Sequence, residues 1–504
     1  MRQRTRLAQV LQVAWTMILG ACAVSITPSP TFTPESRVIP TATPTSIRTT
    51  QVSPTAAIPN AIDTADADRP LLPNGPWWMV VTAQGIWIMN PDGSGLSEIT
   101  TGLPHEDISP GRIAVASSGG RIALLSGSNL ESGLRLNLLT LPQGGFQTIA
   151  TLLEAGIEFS PSDGPGSIGF EAMQALTAIN SRDSFAWSPD GKLLAFMGMI
   201  DGPSSDLYTY APESGEITRL TDGPSHGYRL SWSPDGRYIL HAGVTSFGTG
   251  AGYSMAGVWA ARADGSGVRE IDVSGLQGDV LFHGWTSNSA IMVSNFNALC
   301  GFNKIRSVDI ETGEVIDFWP GGYMQFAWNP ETGGLLVTID PFIVDDPICN
   351  PSGLSGLVFI DPQSDEPRTL LDKEASELHY SPNAHRFFAR LMEIYEISPD
   401  GEILRTVPAI PAVSPDGSVW AYLRIRQDRL ELSVGSPLTL PSVEIDADLT
   451  SLPIVWDRTG DRLLYIDGTS LFIADAPNYI PVLVTENLPG FISAYTNFAY
   501  WIEY

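Results

Sequence analysis

Two stretches of this chain are near copies of one another. SFAWSPDGKLLAFMG opens at Ser184 and YRLSWSPDGRYILHAG at Tyr228, which sets Trp187 and Trp232 45 residues apart. The spelling of the shared turn has a physical reason. Proline pre-sets φ near −65° at the second turn position, aspartate bonds back to its own backbone, and glycine accepts positive φ. The flanking residues alternate or run apolar, as half-buried and buried strands do. Each copy is followed by a second strand pair, DLYTYAPESGEITRLT and GVWAARADGSGVREID. One unit therefore carries four strands, a to d, with the SPDG turn joining a to b. A four-stranded repeat of about 40–50 residues is the signature of a β-propeller blade. One twisted sheet alone has no partner for its faces, and ring closure gives it two.

The slot recurs along the chain. Trp285, Trp328, Tyr380, Val413 and Trp456 precede TSNS, NPET, SPNA, SPDG and DRTG, and an eroded copy is Ala116 before SSGG. The pattern W-S-P-D-G-x-x-[LIV]-[AV]-F, followed by [LIV]-[YW] and an Asp-Gly or Ser-Gly turn, resembles the WD-like repeat of TolB-type propellers. The resemblance covers about residues 77–484. It is strong in the units opening at Ser184, Tyr228 and Ala412, and weak around Ile113 and over 376–407, where short or irregular blades are expected. It implies a periplasmic or cell-surface propeller that works through protein partners. The family's N-terminal α/β domain has no counterpart, which removes support for a role in a Tol complex.

Nine candidate strand pairs can be marked, but the first lacks an upstream strand a. The aromatic tail FISAYTNFAYWIEY (491–504) could supply it, closing the ring with a strand from each end; a tail packed outside is the alternative. The expectation is an all-β fold, a single propeller of eight blades over 76–504, with seven or nine as alternatives. Composition agrees with it. There are 48 glycines and 39 prolines, and charged residues are 16% against a usual value of about 25%. Twenty-eight basic against 55 acidic residues leave a net charge of −27. With no basic stripe, a nucleic-acid partner is excluded.

Residues 1–22 read as an export signal. Arg2, Arg4 and Arg6 precede an apolar stretch from Leu7 to Ala21. Its 15 residues rise about 22 Å as a helix, short of a bilayer core of about 30 Å. Leu19-Gly20-Ala21-Cys22 resembles the lipobox of bacterial lipoproteins. That resemblance implies lipidation of Cys22 and anchoring to the outer side of a bacterial membrane; cleavage at Ala21-Cys22-Ala23 to give a soluble secreted protein is the alternative. Residues 23–75, rich in Ser, Thr and Pro, read as a disordered linker.

Chemistry leaves little trace. No serine has glycine at both −2 and +2, so the hydrolase nucleophile elbow is missing, and the six histidines form no H-E-x-x-H. No catalytic residue, metal ligand or cofactor is assigned. The reading is a non-catalytic scaffold that binds a protein or another envelope component. A surface enzyme acting on glycans or peptides through loop carboxylates is the alternative, because propellers assemble sites from distant loops.

Two site expectations follow from the strand order. Cys300 and Cys349 lie in b–c connections of consecutive units, which emerge on one face, and are expected to form a disulfide; two free thiols are the alternative. On that same face the b–c connections lengthen in four consecutive units, at 199–206, 244–257, 295–304 and 341–356. The longest d–a insertion, 152–183, enters there too and holds a short helix over 170–179. These segments carry Phe247, Tyr253, Phe296 and Phe302 among Asp201, Asp206, Asp345 and Asp346, a mix suited to recognition. They predict a binding face over 184–371, lidded by an insertion that the fold itself does not need.

Overall fold

The computed structural model describes residues 63–503, apart from 83, 100, 105–111, 143, 182, 249–252, 274–278, 298, 365, 427–428, 436–441, 445–453, 468 and 489–498. Cys22 and residues 23–62 of the expected linker lie outside them. Among the described residues are nine sheets of antiparallel strands in sequence order a-b-c-d. Blade 1 is built from Ala499–Ile502, Trp77–Thr82, Gly85–Met89 and Ser97–Ile99. Blades 2 to 9 span 113–153, 185–219, 226–270, 279–323, 325–371, 377–407, 412–444 and 454–485.

The propeller thus has nine blades rather than the expected eight. The unit that seemed to lack a strand is completed by the far end of the chain, where Trp78 pairs with Trp501 and Val80 with Ala499. The units expected to be short or irregular, blades 2 and 7, are full four-stranded sheets. The fold also begins before residue 76. Asp63–Thr64 runs parallel to strand d of blade 9, opposite Val482 and Leu483. From there the chain crosses the c–d turn of blade 1, where Gly95 N–H donates to Asp66 O (3.0 Å) and Leu72 N–H to Asn90 Oδ1 (2.8 Å).

The repeated turn is the same object three times. Ser188, Ser233 and Ser414 donate through Oγ to Asp190, Asp235 and Asp416 at 2.7, 2.7 and 2.6 Å. Each serine Oγ in turn accepts the N–H five residues on, from Leu193, Tyr238 and Val419. Gly191, Gly236 and Gly417 hold φ of 70°, 71° and 75°, a region that side chains resist.

The tryptophan of the slot reaches the neighbouring blade. Trp187, Trp232, Trp285 and Trp456 donate from Nε1 to Ala114 O, Ala186 O, Ser231 O and Ala412 O at 3.1, 2.9, 3.3 and 3.1 Å. Each acceptor lies on strand a of the preceding blade. Apolar clusters fill the gap between every neighbouring pair. Tyr238 and Leu240 of blade 4 pack with Val280 and Ile291 of blade 5, and Trp78 and Val80 of blade 1 with Leu464 and Ile473 of blade 9. The core is therefore a ring of inter-blade seams, closed where Trp77–Thr82 pairs with Ala499–Ile502.

Candidate functional site

In this strand order the b–c and d–a connections share one face, and the a–b and c–d turns the other. The described exposed large apolar side chains divide sharply. Ile217, Val268, Ile316, Leu404 and others lie on the outer strands d, while those in connections or hairpin tips all lie on the b–c face. Phe342 and Met392 there are 91% and 95% exposed, with Ile348, Ile168 and Leu299 close behind. None sits in a described turn of the opposite face.

The 152–183 insertion does not sit over this face as a lid. Its helix, α1 (Ile168–Ile179), starts where Ser167 Oγ accepts the Phe170 N–H, two residues earlier than expected. Ala172, Ala175, Ala178 and Ile179 are fully buried, and α1 packs into the seam of blades 2 to 4. Gln174 clamps the backbone of one residue, accepting from Phe247 N–H and donating to Phe247 O. His226 Nε2 meets Glu171 Oε2 at 3.1 Å, while its Nδ1 accepts the Ser205 N–H at 3.2 Å, which places the proton on Nε2. Burial holds His226 below its ordinary pKa, against the pull of Glu171. The helix of the insertion is part of the core, while most of residues 154–168 before it are exposed.

Two of the long connections are extended hairpins rather than loops. Strands Tyr238–Phe247 and Tyr253–Arg262 pair to their tips, as do Ala290–Asn297 and Gly301–Asp309. Phe247 stands directly across from Tyr253, and Phe296 from Phe302. The first pair joins Tyr228, with ring centroids 5.3 Å from each. The second continues through Phe302 to Tyr323 at 5.9 Å. The structure therefore gathers the four aromatics into two separate clusters, one per hairpin.

Between blades 5 and 6, Cys300 and Cys349 are joined as a disulfide with Cα atoms 5.2 Å apart. Ile343 packs against it, and the sequence neighbours Leu299, Phe342 and Ile348 are exposed. Asp345 is exposed, but Asp346 is occupied within its loop, accepting N–H bonds from Ile348 (2.8 Å) and Cys349 (3.3 Å).

Asp206 is withdrawn from the surface as well. It is 1% exposed and accepts from Arg219 Nη2 (2.7 Å), Thr221 Oγ1 (3.1 Å), Ser204 Oγ (3.2 Å) and Gly223 N–H (3.3 Å). Asp201 instead borders a cleft of about 390 Å³ between the outer strands of blades 2 and 3, together with Glu154, Ile200, Tyr208, Ile217 and Arg219. Burial pushes the Tyr208 phenol up to about 12, while Arg219 and the Asp201 backbone pull the other way and the Asp201 charge adds to the rise. Sequence reasoning missed Glu154, Tyr208 and Arg219, because each is ordinary strand or strand-end spelling. Among the described residues no group of His, Cys, Asp and Glu could hold a metal ion, and no helix is long and apolar enough to cross a membrane.

No family model matches the chain. An uncharacterized peptidase, YuxL, of Bacillus subtilis is 46% identical over 54 residues, 11% of this chain and 8% of that protein. An uncharacterized protein of Agrobacterium fabrum is 34% identical over 124 residues, 25% of this chain and 39% of that protein. The chain thus spans less than half the length of either relative. Solved structures similar to it include TolB from Acinetobacter baumannii, at 13% identity and a TM-score of 0.29 over 71% of this chain and 60% of that one. A eukaryotic initiation factor, 11% identical, matches 84% of this chain and 98% of its own with a TM-score of 0.53. That likeness shows the propeller fold.

Proposed function

We propose that this chain is an exported propeller held on the outer side of a bacterial membrane by a lipid on Cys22, and that it works there as a non-catalytic scaffold. Its partner, another protein or a cell-envelope component, docks on the b–c face of blades 2 to 7. The observation that carries this reading is the one-sided placement of exposed apolar side chains. Exposed apolar surface gathered on one side of a domain marks interaction sites, and here part of it sits on loops joined by the disulfide. Residues 66–72 join the ring at a c–d turn, on the face opposite the b–c connections.

The test is a pull-down from intact cells with the anchor retained. Replacing Leu299, Phe342 and Ile348 together by Ser should remove the partner while the melting temperature stays within about 2 °C, since solvent-facing substitutions of this kind cost little. An unchanged catch would refute the proposal. A second reading, an enzyme acting on peptides, is favoured by the 54-residue match to a peptidase. It predicts peptide cleavage that Asp201→Asn abolishes.

A further inference from the structure

The b–c connection of blade 6 spells one short motif twice, Asp340-Pro341-Phe342-Ile343 and Asp346-Pro347-Ile348-Cys349. In both copies the aspartate Oδ1 accepts the N–H two residues on, from Phe342 at 2.9 Å and from Ile348 at 2.8 Å. The proline between them fixes φ and has no N–H of its own to satisfy. Each turn then sends its third residue out and its fourth in. Phe342 and Ile348 are 91% and 74% exposed, whereas Ile343 and Cys349 are 7% and 1%. Aspartate and proline make the turn by themselves, so nothing in it requires an apolar third residue.

The buried fourth residues pin the connection to blade 5. Cys349 is bonded to Cys300, and its carbonyl accepts the Gly322 N–H at 2.6 Å. Ile343 lies so close over strand d of blade 5 that a Cβ on Gly322 would overlap its Cδ1. From within, the buried Asn350 donates to Val344 O and Leu354 O at 3.0 and 2.9 Å. A long connection without strand or helix, tied at so many points, keeps one shape and presents its two tips in it.

That shape says what the partner offers. A side chain as exposed as Phe342 has no neighbours with which to wall a groove, and ligand sites are concave. It can only be inserted, into a membrane or into an apolar pocket of a protein. Charge decides between them. Asp345 is exposed and lies between the two tips in sequence, and residues 340–349 contain three aspartates and no basic residue. A loop that enters an anionic lipid surface needs the opposite sign beside its apolar tips.

We infer that Phe342 and Ile348 are plugs for apolar pockets on a folded partner protein, whose rim meets Asp345 with a basic group. The inference rests on the scaffold reading above and deepens it. Cys300, Cys349 and Gly322 are positioning residues, because they hold the plugs in place before binding and spare the complex the entropy of ordering them.

The test places an apolar photoreactive amino acid at 342 or 348 of the full chain in intact cells and sequences the crosslinked peptides. Both positions should label one domain of one protein. Cys300→Ser with Cys349→Ser frees the connection and should lower both yields by about tenfold, since the loop must then be ordered on binding. Gly322→Val dislodges Ile343 with the disulfide intact and should act in the same direction, which covers the case of a cysteine variant that does not fold. Adducts on lipid acyl chains, adducts scattered over unrelated proteins, no adduct from either position, or yields unchanged in both variants would overturn the plugs. Yields that persist from 342 in both variants leave the scaffold reading standing, whereas adducts from the turn face alone sink it, so the two failures are separable.

Discussion

Trp232 and Trp328 occupy the same slot of their blades but differ at one atom. Trp232 donates to Ala186 O at 2.9 Å, whereas the Trp328 Nε1 is buried without a partner among the described residues. Trp232→Phe removes this bond across the seam and should cost about 0.5–1.5 kcal/mol more than Trp328→Phe, read as the difference in urea unfolding free energies. Equal costs would mean that the indole contributes by volume alone. His241 makes a second residue-scale test. It is 5% exposed on strand b of blade 4, stacked on Trp259, and burial alone lowers its pKa to about 4. The unfolded chain binds this proton from about 6.5 downward. Stability from this group is therefore complete above that pH and is lost as pH falls toward 4, by up to about 3 kcal/mol. His241→Phe should flatten the stability profile across that window relative to the parent; parallel profiles would contradict it. At this scale Asp206 and Asp346 show what the sequence conceals. Both read as surface acids in long connections, but their bonds go to Arg219 and Thr221, and to the Ile348 and Cys349 peptides. Only the folded loop reveals those partners.

Helix α1 was legible as an element and misleading as a role. Ser167 caps it and its alanines fit one face, but a lone helix does not say whether that face meets solvent or a seam. Ala172, Ala175 and Ile179 fill the junction of blades 2 to 4, so the insertion cannot be trimmed at no cost to the fold. Ile179→Ala should destabilise by about 2–4 kcal/mol, measured by the shift in urea midpoint; a shift near zero would restore the helix to the status of a removable lid. The hairpins of blades 4 and 5 taught the complementary lesson. Their length was visible between turn signals, but only pairing across the tips, Phe247 with Tyr253 and Phe296 with Phe302, turns that length into rigid strand. The Cys300–Cys349 link was within reach of strand-order reasoning, because b–c connections of consecutive blades must emerge side by side.

For the molecule as a whole, the repeat spelling conveyed the architecture and the tail conveyed its closure. The blade number did not follow, since one blade takes its inner strand from residues 499–502 and the rest from 77–99, two ends that no local pattern connects. Besides its rim of outer strands, a closed ring offers two faces to a partner. One bears short repeated turns and the crossing of residues 66–72; the other bears the hairpins, the disulfide, the acidic cleft and the exposed apolar tips. The choice between them is decided most directly by photo-crosslinking in intact cells. A photoreactive amino acid is placed at Phe342 on the b–c face and, in a separate strain, at Lys192, whose side chain is 78% exposed on the turn face. A discrete crosslinked partner from position 342 and none from position 192 is the predicted result; crosslinking from 192 alone, or equally from both, would contradict it.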